Sequence, residues 1–222
     1  MKNILKISIL FLFSIFLLTS CSKDDNNDAT MKVVLKMNTT STSTARMTNN
    51  LLVFNTGSVI IREIVFDGEK TSGGSVSITH EQISTINLVT GVTSPAVEVI
   101  IPIGEYNSVN LGIEIQDEND SPSVIAEGIY TDKDGMETPL KFEFNSGEVF
   151  EANATSYTFG ADSYAIAEID FSPAVWFSSI TGTMLDNANR VDGVILVNES
   201  TNSNIFDIVA DKLDDATQAA FN

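Results

Sequence analysis

Apolar and polar residues alternate with a period of two through most of the chain from residue 31 to residue 171. The clearest example is the segment 108–116, whose apolar positions are Val109, Leu111, Ile113 and Ile115. Successive side chains of a β-strand point to opposite faces, so this period predicts strands with one buried face and one solvated face. Strands of this kind pair in antiparallel sheets that cover a core on one side.

Short groups of turn-forming residues divide the region into strand-sized segments. They are Asn55-Thr56-Gly57, Asp67-Gly68, Gly73-Gly74, Pro102-Ile103-Gly104, Asp134-Gly135 and Asn145-Ser146-Gly147. The segments between them predict strands at 31–37, 51–54, 58–66, 75–79, 84–89, 96–101, 108–116, 123–131, 140–145, 148–158 and 162–171. Because no helical pattern interrupts them, we expect a mainly β fold, an antiparallel β-sandwich.

The pattern changes after residue 171, where apolar residues recur every three or four positions. Ser172 and Pro173 favour a helix start, since serine caps the first turn and proline is pre-set for its first position. The spacing predicts short helices over 173–188 and 203–219. An apolar run at 194–197 predicts one more buried strand between them.

We expect a single domain over 31–222, in which a helical extension at about 173–222 packs on the sandwich. The predicted core consists of Val33, Leu35, Ile64, Val109, Leu111, Ile113, Phe142, Phe144, Ile169, Phe171 and Trp176.

The run 101–109, Ile-Pro-Ile-Gly-Glu-Tyr-Asn-Ser-Val, resembles a signature of prealbumin-like (transthyretin-type) sandwich modules, Pro-x-Gly-x-Tyr followed by an alternating strand. Glycine permits a positive φ in such a turn, and the tyrosine starts the next strand with its ring on the rim of the core. Modules of this type occur in many bacterial surface lipoproteins of unassigned function. The resemblance therefore implies a sandwich fold and no particular activity.

The N-terminus has the layout of an export signal. Lys2 and Lys6 form a short basic region, and the apolar run 7–18 follows directly. That run is too short and too early for a stable membrane-spanning helix, so it predicts a cleaved signal peptide.

The tetrapeptide Leu18-Thr19-Ser20-Cys21 resembles the lipobox of bacterial lipoproteins. The resemblance implies a signal peptide over 1–20, cleavage before Cys21 and acyl chains on the Cys21 sulfur. Acyl chains contribute about 0.8 kcal/mol per buried CH₂, so two or more of them hold a protein stably to a membrane. The alternative is an ordinary secretory signal beside an accidental cysteine.

Residues 21–30 are polar and acidic and have no large apolar side chain, which predicts a solvated tether. Within it, Lys23, Asp24 and Asp25 resemble the lysine-plus-acidic export signal of surface lipoproteins in some Gram-negative lineages. We therefore expect a lipid-anchored protein of the outer membrane that faces the cell exterior. The alternative is a periplasm-facing anchor, with the tether as a plain spacer.

Charge and cysteine content exclude some partners. The formal net charge is −18, and it becomes −20 when Lys2 and Lys6 leave with the signal. A field of this sign repels phosphate backbones, so we expect no nucleic-acid partner. Cys21 is the only cysteine, so the monomer has no disulfide and its fold depends on its core. These features leave the oligomeric state open.

Catalytic and metal-binding residue types are scarce. His80 is the only histidine, its neighbours suggest an exposed strand end or turn, and no Gly-x-Ser-x-Gly elbow accompanies it. The shortage of histidine and cysteine also disfavours zinc. We therefore expect no enzymatic activity, no catalytic residue and no cofactor.

Asp132-Lys133-Asp134-Gly135 resembles part of a calcium loop, because oxygen ligands at alternate positions converge on one cation. No glutamate closes the twelve-residue pattern, and Lys133 adds a positive charge. Asp132 and Asp134 are thus weak calcium candidates, and a solvated acidic turn is the simpler interpretation.

An anchored, loop-rich sandwich without a catalytic set predicts a non-enzymatic binding or adhesive module for a glycan or a protein. The alternative is a structural or assembly component of an envelope complex. Tyr130, Tyr157 and Tyr164 are candidates for a glycan platform, although each also fits a strand rim. A groove of tyrosine rings and amides favours glycan binding, whereas an exposed apolar patch or an unpaired sheet edge favours assembly.

The lipid anchor gives the first testable prediction. Cys21→Ala removes the sulfur that carries the acyl chains, so the variant should leave the washed membrane fraction and appear in the soluble fraction. Immunoblots of both fractions check this, with Ser22→Ala as the control that should stay bound. Persistence of the Cys21→Ala variant in washed membranes contradicts the anchor.

Overall fold

A computed structural model describes residues 28–37, 51–161, 164–213 and 218–221, with the backbone alone for 28, 31–37, 164–170 and 218–221. In chain order the strands are β1 (Asp28–Met37), β2 (Leu51–Lys70), β3 (Ser75–Asn87), β4 (Val92–Ser94), β5 (Glu98–Pro102), β6 (Gly104–Ile115), β7 (Val124–Thr131), β8 (Glu137–Phe144), β9 (Val149–Phe159), β10 (Tyr164–Phe171), β11 (Arg190–Val191), β12 (Val194–Val197) and β13 (Gln218–Phe221). The helices are α1 (Pro173–Trp176), a 3-10 turn (Phe177–Ser179), α2 (Gly182–Asp186) and α3 (Ser203–Ala210). The fold is mainly β with short helices near the C-terminus, which confirms the predicted fold class.

The described strands form two open sheets. The smaller sheet has four strands in the order β13-β10-β1-β5. The larger one has nine, in the order β11-β12-β8-β7-β2-β3-β4, with β6 paired to β2 and β9 paired to β6. Most pairs are antiparallel, as expected, but β1 with β10 and β8 with β12 are parallel. Each parallel pair joins strands that lie far apart in the chain, because a tight hairpin cannot connect parallel strands.

Strand β2 is 20 residues long and carries the larger sheet. Along one edge its first half pairs with β7 and its second half pairs with β6. Along the other edge its residues 58–69 pair with β3. One strand therefore supplies backbone hydrogen bonds to three others.

Two turns predicted from the sequence, at 55–57 and 67–68, are wrong, because β2 runs through both. At the first, the register with β7 shifts between Phe54 and Thr56, so the turn-forming residues lie in a β-bulge. At the second, Gly68 stays extended beneath the Tyr106 ring, where a Cβ would lie 2.6 Å from Tyr106 Cδ1.

The inner face of β2 is covered by two different layers. Around its second half, the smaller sheet packs on β3 and β9, with Phe150 and Phe171 in ring contact at 4.9 Å. Around its first half, the C-terminal helices form the cover, and Phe54 meets Phe177 with ring centroids 5.1 Å apart. The molecule is a sandwich at one end and a helix-on-sheet layer at the other.

The predicted core is confirmed wherever side chains are described. Buried members are Ile64, Val109, Leu111, Ile113, Phe142, Phe144, Phe171 and Trp176. The side chains of the other three predicted members, Val33, Leu35 and Ile169, lie outside those described.

The continuous helix predicted over 173–188 is wrong, because the segment holds α1, a 3-10 turn and α2. Ile180 is extended (φ −82°, ψ 130°), which ends the first helical stretch. Thr181 then caps α2, since its Oγ1 accepts a hydrogen bond from Met184 N at 3.3 Å. Ser172 was expected to cap α1, but its side chain makes no capping hydrogen bond.

The helix predicted over 203–219 is also wrong in its second half. Helix α3 ends at Ala210, and residues 218–221 form β13, which pairs antiparallel with β10. Pairing with β10 gives these residues backbone partners in the sheet, and that pairing overrides the apolar spacing at helical intervals.

The bulge in β2 gives a stability prediction at Gly128, which lies in β7 beside it. A Cβ at Gly128 would lie 2.2 Å from the carbonyl oxygen of Val53, and overpacking of this kind costs about 1–3 kcal/mol. Gly128→Ala should therefore lower the free energy of unfolding of the full chain by that amount in a urea titration.

Gly112→Ala is the matched control, because it also replaces a mid-strand glycine. There a Cβ would meet only Val149 Cγ1, at 3.4 Å, so stability should hold or rise by up to about 1 kcal/mol. Equal losses in the two variants would contradict the close approach of β7 and β2 at Gly128.

Candidate interaction surfaces

Several predicted site residues lie outside the described part of the chain. These are Cys21, Lys23, Asp24 and Asp25, together with the side chain of Tyr164. Lipid attachment and surface export therefore stay predictions. Across the described residues, no helix has the length and apolar character needed to cross a membrane.

The acidic turn at Asp132 and Asp134 is closed by its own backbone. Asp132 Oδ1 accepts hydrogen bonds from Asp134 N and Met136 N, each at 2.8 Å, while Asp134 forms an ion pair with Lys133. Among the described residues there is no group of three or more His, Cys, Asp or Glu placed to hold a metal ion. Calcium at this turn stays a prediction.

His80 lies within β3 and not at a strand end or turn, so that expectation is wrong. It pairs with Ile64 on the inner face of the sheet and is half-buried. Its Nε2 lies 3.4 Å from Gln82 Oε1. Gln82 in turn donates from Nε2 to Ser84 Oγ at 3.0 Å and to Ala96 O at 3.1 Å. These contacts tie β3 to the segment before β5.

The tyrosines whose side chains are described do not form an exposed platform. Tyr106 is fully buried and not on the core rim, and its OH donates to Pro102 O at 2.7 Å. Burial raises the pKa of the Tyr106 phenol. Tyr130 is also fully buried, and its OH donates to Asp186 Oδ1 at 2.7 Å. Tyr157 is half-buried and packs on Phe159 at 4.7 Å.

A polar cleft of about 280 Å³ opens beside the end of β8, with amides but no tyrosine ring in its wall. Glu143 lines it and bonds Lys141 Nζ at 2.7 Å and Asn198 Nδ2 at 3.1 Å. Burial raises the pKa of Glu143, but these two hydrogen bonds and the Lys141 charge outweigh it, so the pKa lies below its ordinary value. Ionised Glu143 thus stabilises the fold above its unfolded pKa, and this contribution is lost as the pH falls through its folded pKa.

The first candidate interaction surface is the open edge of β3, residues 75–83. β2 pairs with one side of β3, and on the other side β4 covers only residues 85–87. In the part of the chain that the structure describes, no strand pairs with the outer side of residues 75–83.

The hydrogen bonds of β3 define which backbone groups face outward. In an antiparallel ladder every second residue points its N–H and C=O at a given neighbour. Lys70 N donates to Gly74 O at 2.9 Å, and Leu88 N donates to Gly57 O at 3.0 Å, so even-numbered residues of β3 face β2. The backbone groups that face outward along the open edge are those of Ser75, Ser77, Thr79 and Glu81.

An acidic row runs inward from this edge across three strands. Glu81 pairs with Glu63, and Glu63 pairs with Glu114, which places three carboxylates side by side on the outer face. Like charges directly opposite each other destabilise a sheet. Glu63 and Glu81 form no ion pair with any described residue.

Arg62 neutralises only the far end of the acidic row. Its Nη2 contacts Glu114 Oε1 at 2.7 Å, and its Nη1 contacts Glu118 Oε1 at 3.2 Å. These two hydrogen bonds, together with the charges of both glutamates, raise the pKa of the Arg62 guanidinium. At the end of the row beside the open edge, no described cation forms an ion pair with Glu63 or Glu81.

The apolar row is a second surface, on the outer face opposite the helices. Val53 pairs with Ile129, which pairs with Pro139. Val194 adjoins Pro139 in the same shallow groove and pairs with Val191. Val53 is 42% exposed and Val191 is 45% exposed. An apolar row across five strands is a feature of protein-contact surfaces.

Comparison of the chain with protein-family models, curated proteins and solved structures gives no match.

Neither surface was identified from the sequence. The turn-forming pair Gly73-Gly74 shows where β3 begins, but nothing local shows that its outer side lacks a partner. The members of the acidic row and of the apolar row lie far apart in the chain, and only the strand register brings them together. The absence of lysine and proline from 75–81 gave no indication of an open edge either, since edge strands usually carry them.

The acidic row gives a stability prediction. Glu63→Gln removes the central charge and with it the repulsion from Glu81 and Glu114, so stability of the full chain should rise by about 0.2–1 kcal/mol. Urea titration at low salt measures the change, and salt should reduce it. Glu105→Gln is the control, because Glu105 pairs with the uncharged Thr158. A loss of stability in Glu63→Gln would contradict the repulsion.

Proposed function

We propose that the chain is a lipid-anchored, non-enzymatic binding module of the outer membrane, facing the cell exterior, whose ligand is a protein. The observation that carries the proposal is the open edge of β3, with the outward N–H and C=O groups of Ser75, Ser77, Thr79 and Glu81. The sequence criterion assigned an unpaired sheet edge to assembly, but an edge this short also recognises an extended peptide of a protein ligand, which adds one more strand to the sheet.

The placement of aromatic rings supports a protein ligand over a glycan. Tyr106, Tyr130 and Trp176 are fully buried, and Tyr157 packs on Phe159. The amide-lined cleft beside β8 has no tyrosine in its wall. An exposed aromatic face favours sugar binding by stacking, whereas strand addition needs only backbone groups.

The residues capable of chemistry support a non-enzymatic role. His80 is half-buried between the sheets and contacts an amide, Gln82. The candidate calcium ligands Asp132 and Asp134 bond to their own turn and to Lys133. Each group has a structural partner that accounts for its position.

The second candidate function is a permanent structural component of an envelope complex, and the apolar row favours it. Permanent interfaces are larger and more apolar than those of exchanging ligands. The row that includes Val53, Ile129 and Pro139 offers such a surface away from the β3 edge. A partner that survives Thr79→Pro but is lost in Val53→Asp would support assembly over ligand binding.

The proposed function predicts that blocking the β3 edge removes the ligand. Thr79→Pro deletes one outward N–H and leaves the ladder with β2 intact, because Thr79 faces the open side. Full-length protein in mild detergent should capture a protein from cell-surface extract, and Thr79→Pro should lower the yield about ten-fold or more. Thr79→Ala keeps the N–H and is the control.

A glycan array run beside this capture separates the alternatives. A saturable glycan signal that ignores Thr79→Pro would replace the protein-ligand proposal with glycan binding. Turnover of a substrate that depends on His80 would contradict the non-enzymatic role.

A further inference from the structure

We propose that the ligand of the β3 edge is an extended protein segment with a Lys or Arg opposite Glu81, added antiparallel or parallel to residues 75–81. This inference rests on the proposed function and specifies the chemistry of the partner. It combines two independent features, the unpaired backbone groups of β3 and the uncompensated charge of the acidic row.

The backbone of β3 is suited to accept a strand of about seven residues. Between Ser75 and Glu81 the outer side has neither proline nor lysine, and no bulge interrupts the pairing with β2. Edge strands without such protection pair readily with another chain. The irregularity in the ladder lies beyond this stretch, where the partner of β3 changes from Glu63 to Ile61.

The side chains of β3 determine what the two faces of the added strand should carry. On the inner face Val76 and Ile78 pack against the core but remain only half-buried, because nothing described covers their outer side. Small apolar residues on the added strand would complete that cover. On the outer face Glu81 lies at the edge and Glu63 directly behind it.

Charge selects a basic partner over a second copy of this chain. Glu63 and Glu81 repel each other, and Arg62 is engaged with Glu114 and Glu118. A lysine or arginine opposite Glu81 would relieve this repulsion. A second copy carries the same net charge of −18, so the two copies would repel each other. It also has no lysine or arginine in its own residues 75–81 to place opposite Glu81.

The test uses the full-length protein and two synthetic peptides of equal length. One alternates Lys with Val and Thr, and the other carries Glu in place of each Lys. Titration at low salt should show the basic peptide binding about ten-fold or more tightly than the acidic one, and salt should reduce the difference. Equal binding of the two peptides would overturn the basic-partner inference.

Amide hydrogen exchange of the complex shows where the peptide lies. The amides of Ser77, Thr79 and Glu81 face the open edge and should become protected. Those of Ile78 and His80 already bond to β2 and should change little. Binding without this odd-residue protection, or binding that Thr79→Pro leaves unchanged, would place the peptide elsewhere and overturn the edge.

Charge reversal tests the role of the acidic row. The double variant Glu63→Lys and Glu81→Lys should weaken the basic peptide about five-fold or more and strengthen the acidic one. The control Glu105→Lys together with Glu151→Lys makes the same change in net charge away from the β3 edge and should move either affinity less than two-fold. Equal effects of the two pairs would show that net charge alone acts.

The outcomes for the partner and for the function are distinguishable. If the natural protein captured from surface extract depends on Thr79 but is indifferent to the Glu63 and Glu81 reversal, the basic-partner inference fails and the proposed function stands. If the basic peptide protects the edge but no protein is captured, the edge chemistry stands and the proposed function fails. A Thr79-dependent dimer without peptide would show that the occupant is a second copy, and would overturn the inference.

Discussion

The backbone hydrogen bonds of β2 are the interaction on which the rest of the structure depends. Its 20 residues pair with β7 and β6 along one edge and with β3 along the other. Buried backbone polar groups need hydrogen-bond partners. Pairing with β2 therefore fixes the positions of β3, β6 and β7 relative to one another. The sandwich layer and the helical layer lie over the two halves of the same strand. Neither layer separates from the other without breaking that ladder.

The ladder of β2 contains irregular positions. The register shift beside Phe54 lies within the pairing with β7, and the shift at Arg62 lies within the pairings with β6 and β3. At the second shift Arg62 is free to reach Glu114 and Glu118, while Glu63 faces outward beside Glu81. The residue at this register shift is therefore the one that neutralises one end of the acidic row.

Sequence patterning predicted the strands well where burial and local period agree. In β6 the alternation identified Val109, Leu111 and Ile113 as core residues, because every second side chain of a strand lies on the same face and only one face is buried. Near the C-terminus, apolar spacing correctly identified Trp176 as buried but wrongly implied one continuous helix. The spacing of apolar residues shows which of them face the core. Several backbone conformations give the same spacing, so the spacing alone does not predict one continuous helix. The turn signals inside β2 failed because Asn, Asp and Gly also suit bulges and close strand approaches.

The sequence by itself determined the period of the strands, part of the core and the acidic balance, because each follows from residue type and local order. It also carries the export and lipid-anchor expectations, which depend on short contiguous motifs. Only the tertiary structure decided that no described strand pairs with the outer side of residues 75–83 and that three glutamates stand in one row. Strand order and register arise from pairing between distant segments, and no local pattern encodes which edge remains open.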